Sequence, residues 1–304
     1  MRHNKLIKFL KFIALLITMI VLSCFAYYIK CNNFIFWDEI LFLILGYLFT
    51  PMINSAIDLT DTCYWQDDLR KLLRGKVISK KDRIRISFAY LFRIKVDGKY
   101  LLVLNERGTN KYQPVGGAYK FCDKEKKVLF NEYNVIDDDN IPIDKSSRND
   151  YRLKVEAKNL KKFIKRFDIT KNRESVVNLK REFIEELIKT EILSFKKIKY
   201  QYRGRYIKHI EYSKYFKCYE LLLADIVELE LSLEQEEEIR VLMQNKSEKY
   251  LFASSNEVET CGVKKGTQNL IENISDHSLK ILQENDENLQ KAIHQYKYFT
   301  VAIE

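Results

Sequence analysis

The amino-acid sequence predicts a mixed α/β (α+β) domain that follows a two-helix transmembrane hairpin. Two uncharged, mostly apolar runs, residues 12–29 and 40–57, lie near the start of the 304-residue chain. The remainder mixes strand-like alternation with amphipathic helical patterns, and hydrophobic residues make up 46% of the chain, enough for a packed core. We therefore expect a transmembrane hairpin over residues 1–57, a connector over residues 58–83 and a layered domain over residues 84–304.

Each apolar run is 18 residues long, counted over 12–29 and over 40–57. At about 1.5 Å per residue, a helix of that length spans about 27 Å, which is close to the hydrocarbon thickness of a bilayer. Lipid offers the backbone no hydrogen-bond partners, so a run that crosses it should be helical. The two runs are therefore expected to cross the membrane as a pair of helices.

The charges that flank the runs predict their orientation. Basic residues precede the first run and follow the second: Arg2, Lys5, Lys8 and Lys11, then Arg70, Lys71, Arg74, Lys76, Lys80 and Lys81. The loop over residues 30–39 carries one basic residue, Lys30, and two acidic ones, Asp38 and Glu39. The positive-inside rule then predicts a multi-pass membrane protein with both termini in the cytoplasm. Aromatic side chains expected at the membrane interfaces are Tyr27, Tyr28 and Trp37.

A cleaved signal peptide is the alternative for the first run. Residues 22–24 (Leu-Ser-Cys) loosely resemble a lipobox, which would make it a lipoprotein signal. Either signal would export the rest of the chain. The cysteines favour a cytoplasmic domain instead, because none lies in a CxxC pair and no histidine stands at metal-ligand spacing from them. The thiols expected to be reduced are Cys24, Cys31, Cys63, Cys122, Cys218 and Cys261.

Periodicity and turn residues predict the elements that follow the hairpin. Strands are expected over residues 84–96, 100–104 and 151–155, and two or three aromatic-rich strands over 196–223. The pair Asp97-Gly98 is typical of a hairpin turn. Residues 121–150 are expected to be irregular. Helices are expected over residues 66–73, 158–167, 175–191, 233–243 and 270–284.

Three glutamates in the predicted helix 175–191 are the strongest candidates for chemistry. Glu182, Glu185 and Glu186 follow an i, i+3, i+4 pattern and so share one face of an α-helix. Clustered carboxylates repel one another unless cations neutralise them, and oxygen ligands suit Mg²⁺ or Mn²⁺. The alternative is a solvated face of an amphipathic helix. The opposite face carries an apolar stripe formed by Leu179, Phe183 and Leu187.

A paired glycine precedes this helix by more than 60 residues. Gly116 and Gly117 end the segment Tyr-Gln-Pro-Val-Gly-Gly, which follows the predicted strand hairpin. Glycine allows the backbone to turn sharply and to approach a ligand closely, so these two residues are candidate ligand-binding positions. The alternative is an ordinary tight turn.

Together these segments resemble the Nudix family, whose signature is a glycine, a spaced glutamate and Arg-Glu-hydrophobic-x-Glu-Glu-x-Gly. Arg181, Glu182, Glu185 and Glu186 match its second half, as does Phe183 at the hydrophobic position. The resemblance implies a mixed sheet between helices, metal ligation by the three glutamates and a catalytic pair of Glu182 and Arg181. It also implies Mg²⁺-dependent cleavage of nucleoside diphosphate derivatives.

The sequence departs from the family pattern at three places. An insertion over about residues 118–172 separates the glycines from the helix. The position of the intermediate glutamate is Arg173, and Glu174 comes one residue late. Ile188 stands where the family has its last glycine. These departures leave the enzymatic activity open.

The whole layout is similar to the membrane-anchored Nudix effectors of CBASS, bacterial antiphage systems in which a cyclic-oligonucleotide synthase (a CD-NTase) alerts an effector. That resemblance implies a Nudix-like domain that senses a cyclic oligonucleotide and transmembrane helices that disrupt the bilayer when the protein forms homo-oligomers. Two alternatives remain: a membrane-tethered Nudix hydrolase, and an adaptor that keeps only the fold.

The segment over residues 196–217 is a second candidate ligand surface, because it interleaves aromatic and basic residues. Its candidate ligand-binding residues are Tyr202, Arg203, Arg205 and Lys208. The alternatives are a strand pair with one buried aromatic face, or a surface that lies against anionic lipid.

The net charge of +10 and pI of about 9.1 favour anionic partners such as nucleotides or lipid. Double-stranded nucleic acid is not expected. Residues 137–139, three aspartates, form a solvated loop or, less simply, a cation site.

Overall fold

The structure is a computed structural model that describes residues 2–32, 35–59, 63–105, 109–138, 140, 144, 147–263, 270, 272–290, 294 and 296–303. The chain divides into two compact units, Met1–Val77 and Ile78–Glu304. The predictions made for the Trp37 side chain and for Asp139 lie outside the described residues.

The first unit is helical. Its helices are α1 (Arg2–Cys31), α2 (Ile35–Leu59) and α3 (Tyr64–Arg74). α1 and α2 pack through Ala26, Ile29 and Leu41. Most of their other apolar side chains are exposed, as at Leu43 and Tyr47. Such exposure suits an apolar solvent rather than water.

One helical segment of this unit, Lys8–Cys31, is long and apolar enough to cross a membrane, with a mean hydropathy of 2.4. A signal sequence near the N-terminus has the same properties. The apolar part of α2, Ile40–Ala56, is shorter.

The third helix, α3, contains the connector helix predicted over residues 66–73 and extends beyond it at both ends. Its buried face carries Trp65 and Leu69. Asp67 pairs with Lys71 one turn later, at 3.0 Å, and with Lys8 at 3.5 Å. These contacts hold α3 against α1 within the first unit.

The second unit is the predicted mixed α+β domain, in which helices flank a sheet. Its strands are β1 (Arg83–Arg93), β2 (Lys95–Val96), β3 (Lys99–Leu104), β4 (Tyr112–Gln113), β5 (Gly116–Ala118), β6 (Ile136–Asp137), β7 (Arg152–Glu156), β8 (Lys197–Ile207), β9 (Glu211–Ser213), β10 (Cys218–Glu230), β11 (Tyr250–Ser254) and β12 (Tyr298–Ala302). Its helices are α4 (Asp123–Glu132), α5 (Leu160–Ile169), α6 (Arg181–Phe183) with a following π-helical turn (Ile184–Ile188), α7 (Leu233–Gln244) and α8 (Ser255–Glu259).

The larger sheet has the strand order β12-β8-β10-β1-β7-β6 among the described strands, with β5 paired to β1 and β9 to β10. β1 and β10 run parallel at its centre, and the other pairs are antiparallel. A smaller sheet has the order β11-β3-β2, with β4 beside β3. The predicted first strand divides between the two sheets: β1 ends at Arg93, and β2 turns at Asp97 (φ 48°) and Gly98 (φ 78°) into β3.

The prediction that residues 121–150 are irregular was wrong, because they contain α4 and β6. The reason lies in Glu125, whose side chain is 0% exposed and accepts hydrogen bonds from Arg166 and Thr170. A buried glutamate occupies a core-facing position where the helical pattern expects an apolar residue. The amphipathic period was therefore not visible in the sequence.

The helix predicted over residues 175–191 is shorter in the structure. It begins at Arg181, and residues 175–180 are not helical. The Tyr200 hydroxyl donates to the Val176 carbonyl and accepts from the Leu179 N–H, both at 2.9 Å. A side chain thus satisfies backbone groups that a helix would otherwise pair. The helix predicted over residues 270–284 is likewise replaced, by 3₁₀ segments at Asp276–Ile281 and Gln283–Asn288.

An aromatic cluster joins the insertion to the large sheet. Phe88 on β1 stacks on Phe167 of α5 at 3.7 Å, with the rings 10° apart. Tyr151 and Tyr119 meet Phe167 edge-on. The insertion therefore shares the core of the domain.

Candidate functional site

The fold brings the two halves of the sequence motif together. β5 pairs with β1 and so places Gly116 and Gly117 beside the N-terminal end of α6. The Gly116 N–H donates to Glu186 Oε2 at 3.0 Å. Arg181 Nη2 donates to the Ala118 carbonyl at 2.8 Å. The inserted segment between the two halves therefore begins at β5 and ends close to it, beside α6.

Both glycines are required by close approach. A Cβ on Gly116, which has φ 150°, would stand 2.1 Å from the Tyr90 carbonyl oxygen. A Cβ on Gly117 would stand 2.1 Å from Glu182 Oε1. No carbon atom fits at these distances, so a side chain at either position would force the strand or Glu182 to move. Gly117 therefore packs directly against the predicted catalytic glutamate, Glu182, and Gly116 against the backbone of β1, which an ordinary tight turn would not require.

Glu182 and Arg181 form an ion pair at the centre of this arrangement. The Glu182 side chain is 14% exposed, and burial raises the pKa of its carboxyl above the usual value. Arg181 also bonds Glu174 Oε2 at 3.1 Å. A partly buried guanidinium thus bridges two carboxylates.

Glu174 completes the cluster, although it stands one residue away from the family's spacing. It accepts from the Tyr90 hydroxyl at 3.1 Å and from the Lys120 N–H at 3.3 Å. Arg173, at the family's position, turns instead to stack over Phe167 at 3.8 Å. The irregular backbone before α6 lets Glu174 reach Arg181. The only sequence signal for Glu174 was its distance from Arg181, which is one residue shorter than the family pattern. No sequence signal indicated that Tyr90 would contact this cluster.

In the present arrangement, the predicted metal ligands Glu182, Glu185 and Glu186 do not form a preformed metal-ligand group. Among the described residues, no group of three or more His, Cys, Asp or Glu side chains is arranged to hold one. Glu182 faces Arg181, and Glu186 accepts from Gly116. The prediction assumed α-helical spacing, whereas the Lys189 N–H bonds the Ile184 carbonyl five residues back, which widens the turn.

The second candidate surface divides into a buried and an exposed part. Tyr202 and Arg205, predicted to bind ligand, lie in the interior: both donate to Asp225 Oδ1, at 2.9 and 2.7 Å. Burial alone would raise the pKa of Asp225, but the Arg205 guanidinium and these hydrogen bonds lower it. Arg205 also meets Asp168 at 2.7 Å. In this arrangement Tyr202 and Arg205 are partners of a buried aspartate, and their ligand role stays a prediction.

The other two residues of that surface are accessible. Arg203 pairs with Asp286 at 2.8 Å and with Glu228 at 3.2 Å, and its side chain is 25% exposed. Lys208 pairs with Glu211 at 2.9 Å and is 38% exposed. Neither lies in the glycine–glutamate cluster, the group formed by Gly116, Gly117, Glu174, Arg181, Glu182 and Glu186. The alternative of one buried aromatic face describes the first half of β8 well, where Ile198, Tyr200 and Tyr202 alternate with exposed or partly exposed residues.

The comparisons with known proteins identify one family. A family model described as the SMODS-associated NUDIX domain matches residues 83–282. No curated protein and no solved structure matches the chain. The matched segment begins at β1 and includes the insertion, the glycine–glutamate cluster and β10. It ends one residue after the 3₁₀ segment Asp276–Ile281.

Proposed function

Because the chain belongs to the SMODS-associated Nudix domains, a family linked to CBASS-type systems, we propose that it is a membrane-anchored CBASS effector. In this proposal the Nudix-like domain senses a cyclic oligonucleotide made by a CD-NTase. Ligand binding promotes assembly of several copies, and the N-terminal helices then disrupt the bilayer. A ligand shifts such an equilibrium only by binding the assembled state more tightly.

The observation that carries the sensing role is the pairing of the motif glutamates within the protein. Glu182 pairs with Arg181, and Glu186 accepts from Gly116. The glycine–glutamate contact of the fold is kept, whereas a preformed metal-ligand group is not found among the described residues. A domain of this kind is better suited to binding a nucleotide than to hydrolysing it.

The apolar helices support the membrane role. Lys8–Cys31 has the length and hydropathy of a membrane-spanning helix, and many of the side chains that α1 and α2 expose are large and apolar. We propose a bacterial inner-membrane location with two crossings and both termini in the cytoplasm, where a cyclic oligonucleotide would be made.

The proposal is tested with the full chain in liposomes loaded with a self-quenching dye. A panel of cyclic di- and trinucleotides is added, and dye release is recorded beside the melting temperature of the protein. A ligand that binds only the native state raises that temperature. We expect at least one cyclic nucleotide, and none of its linear forms, to raise it and to release dye. Absence of both effects across the panel would reject the sensor.

A membrane-tethered Mg²⁺-dependent Nudix hydrolase remains the second candidate, and one observation favours it. Burial raises the pKa of Glu182, as is common for carboxyl groups that exchange protons during catalysis. This activity predicts phosphate release from nucleoside diphosphate derivatives that Glu182→Gln abolishes. Unchanged release in that variant, or none in the wild type, would exclude this site as a hydrolase.

A further inference from the structure

The short hairpin formed by β9 and the start of β10 projects from the large sheet. Among the described strands, β9 pairs with β10 alone. The parallel pairing of β10 with β1 reaches back only to Glu220, opposite Arg85, and its pairing with β8 reaches back only to Leu223. Residues 212–219 therefore extend beyond both neighbouring strands, and we call them the hairpin tip.

The hairpin tip combines exposed aromatic side chains with positive charge. Tyr215 is 81% exposed and Tyr212 is 55% exposed. Lys214 and Lys217 are exposed as well, and residues 212–219 include no acidic residue. Tyrosine and lysine side chains each have an apolar body and a polar end, which suits the boundary between lipid headgroups and acyl chains. A projecting turn of this composition is therefore complementary to an anionic lipid surface.

The hairpin tip is held in a fixed position by Phe216. The Phe216 ring lies 3.7 Å from the Arg85 guanidinium and meets the Tyr215 ring edge-on at 4.8 Å. Arg85 in turn bonds Asp138 at 2.6 Å and Glu220 at 3.2 Å. Asp138 is 4% exposed, so the predicted solvated aspartate loop is wrong at this position. A tip that is already ordered loses less conformational entropy when it binds a surface.

The hairpin tip lies at the end of the domain where the chain from the N-terminal helices enters. The second unit begins at Ile78, and β1 starts shortly afterwards at Arg83. Because β1 and β10 are parallel, both strands begin at the same end of the sheet, and the hairpin tip lies at the beginning of β10. A membrane anchor attached at this end favours contact between the same end and the bilayer.

Further basic side chains lie at this end of the sheet. Lys80 and Lys81 precede β1 and are exposed. The exposed Lys158 follows β7, whose end pairs with the start of β1, and its N–H donates to the Lys80 carbonyl at 3.1 Å. The Lys158 ammonium group pairs with Glu156, which offsets part of this charge. Lys80 and Lys81 add to the attraction that an anionic lipid surface exerts on the lysines of the hairpin tip.

We propose that the hairpin tip docks on the anionic headgroups of the bilayer that holds the N-terminal helices, an inference that rests on the proposed membrane location. Tyr215 enters the boundary between headgroups and acyl chains, and Lys214 and Lys217 meet lipid phosphates. The docked tip sets the orientation of the domain on the membrane surface.

Tryptophan fluorescence of the full chain in nanodiscs tests this contact. Tyr215→Trp places a reporter at the hairpin tip, and phosphatidylcholine with brominated acyl chains quenches tryptophan only at close range. The emission of wild-type protein, which contains Trp37 and Trp65, is subtracted. We expect strong quenching when the nanodiscs also contain phosphatidylglycerol. Quenching should be weaker in phosphatidylcholine alone or at high salt, because salt screens exposed charges.

Tyr298→Trp is the matched control. Tyr298 is 54% exposed and lies on β12 opposite Gln201 of β8, which pairs with Glu228 near the far end of β10. That level of the sheet is about 33 Å along β10 from the hairpin tip. A tryptophan at position 298 should therefore show no quenching in either kind of nanodisc.

A second variant separates the charges of the tip from its aromatic ring. Lys214→Gln together with Lys217→Asn removes both positive charges, and asparagine tolerates the φ of 51° at position 217. In the Tyr215→Trp background, we expect the ratio of docked to undocked protein to fall by about thirtyfold. Melting temperatures in detergent identify a variant that fails to fold, and in that case the comparison of Tyr215→Trp between the two lipid compositions still decides.

Each other outcome has a definite meaning. If Tyr215→Trp is quenched no more than Tyr298→Trp while the chain remains in the nanodisc, the docking is overturned and the membrane location stands. Equal quenching of Tyr215→Trp with and without phosphatidylglycerol would overturn the anionic assignment. A blue-shifted emission without quenching would show that the tip contacts protein, such as a second copy, and would also overturn the inference. Failure of the chain to enter nanodiscs would reject the membrane location together with this docking.

Discussion

The glycine–glutamate cluster and the insertion use the same charged residue types in opposite ways. In the cluster, Glu182 and Glu186 meet an adjacent arginine and a glycine N–H at the end of a short helix. In the insertion, Glu125 is fully buried and forms a two-pronged contact with Arg166, both distances 2.8 Å, across 41 residues of sequence. The spacing of residues in the sequence predicted Glu182 and Glu186, whereas only the folded structure shows the contact between Glu125 and Arg166.

The difference separates a carboxylate that stabilises the core from the carboxylates of the proposed nucleotide site. A buried, fully paired glutamate such as Glu125 contributes to the stability of the core. Glu182, in contrast, is 14% exposed and lies beside Gly117, where the close approach excludes a side chain. The predictions below separate these two roles, beginning with the largest effect.

Replacing Glu125 by alanine should be the most destabilising single change. It leaves the Arg166 guanidinium and the Thr170 hydroxyl without their buried partner. Breaking a buried ion pair in this way costs about 3–5 kcal/mol of unfolding free energy. Urea unfolding of the full chain in detergent measures it, and Glu132→Ala on the exposed end of the same helix should stay within about 0.5 kcal/mol. A loss below about 1 kcal/mol for Glu125→Ala would show that the insertion does not depend on this pair.

Gly117→Ala should destabilise less but damage the cluster more. The added methyl group would stand 2.1 Å from Glu182 Oε1, so Glu182 must turn away. Crowding of this kind costs about 1–3 kcal/mol. Gly46→Ala is the control, because nothing lies within 4 Å of a Cβ there. Equal melting temperatures for the two variants would mean that Gly117 and Glu182 are not in contact.

The sequence predicted most of what depends on neighbours along the chain. Asp97-Gly98 indicated a hairpin turn, and the structure has the turn there, with positive φ at both residues. Arg181, Glu182 and the glycines indicated the Nudix fold, which the family match confirms over residues 83–282. The turn is a local feature that adjacent residues indicate, whereas the fold was implied by the resemblance of two separated segments to a family signature.

The remainder depends on contacts that spacing does not encode. Arg205 and Tyr202, two predicted ligand residues, are buried in the core, where both donate hydrogen bonds to Asp225. The Tyr200 hydroxyl replaced a predicted helical turn by binding two backbone groups of residues 176 and 179. Helical and strand periodicity do not report which polar side chain will be buried, because that choice is made by a partner distant in sequence.

Tyr200→Phe tests the second of these contacts and should have a smaller effect. The ring still packs, but the Leu179 N–H and the Val176 carbonyl lose their partner. We expect a loss of about 1–2 kcal/mol and faster amide hydrogen exchange at Leu179. Tyr298→Phe, at a tyrosine that is 54% exposed, should change neither quantity. Unchanged exchange at Leu179 in Tyr200→Phe would mean that other contacts hold this segment.

The smallest effect concerns pH and the Glu182 carboxyl. Burial raises its pKa in the folded protein above the ordinary value of 4.5, so folding favours the protonated form. Its favourable contribution is complete below the unfolded pKa and is lost as pH rises through the folded pKa. The unfolding free energy of wild-type protein should therefore fall relative to Glu182→Gln as pH rises from about 4.5, and level off above the raised pKa. Parallel curves for the two proteins across this range, followed by urea unfolding, would mean that Arg181 compensates the burial of Glu182 completely, and the cluster would then resemble the paired charges of the insertion.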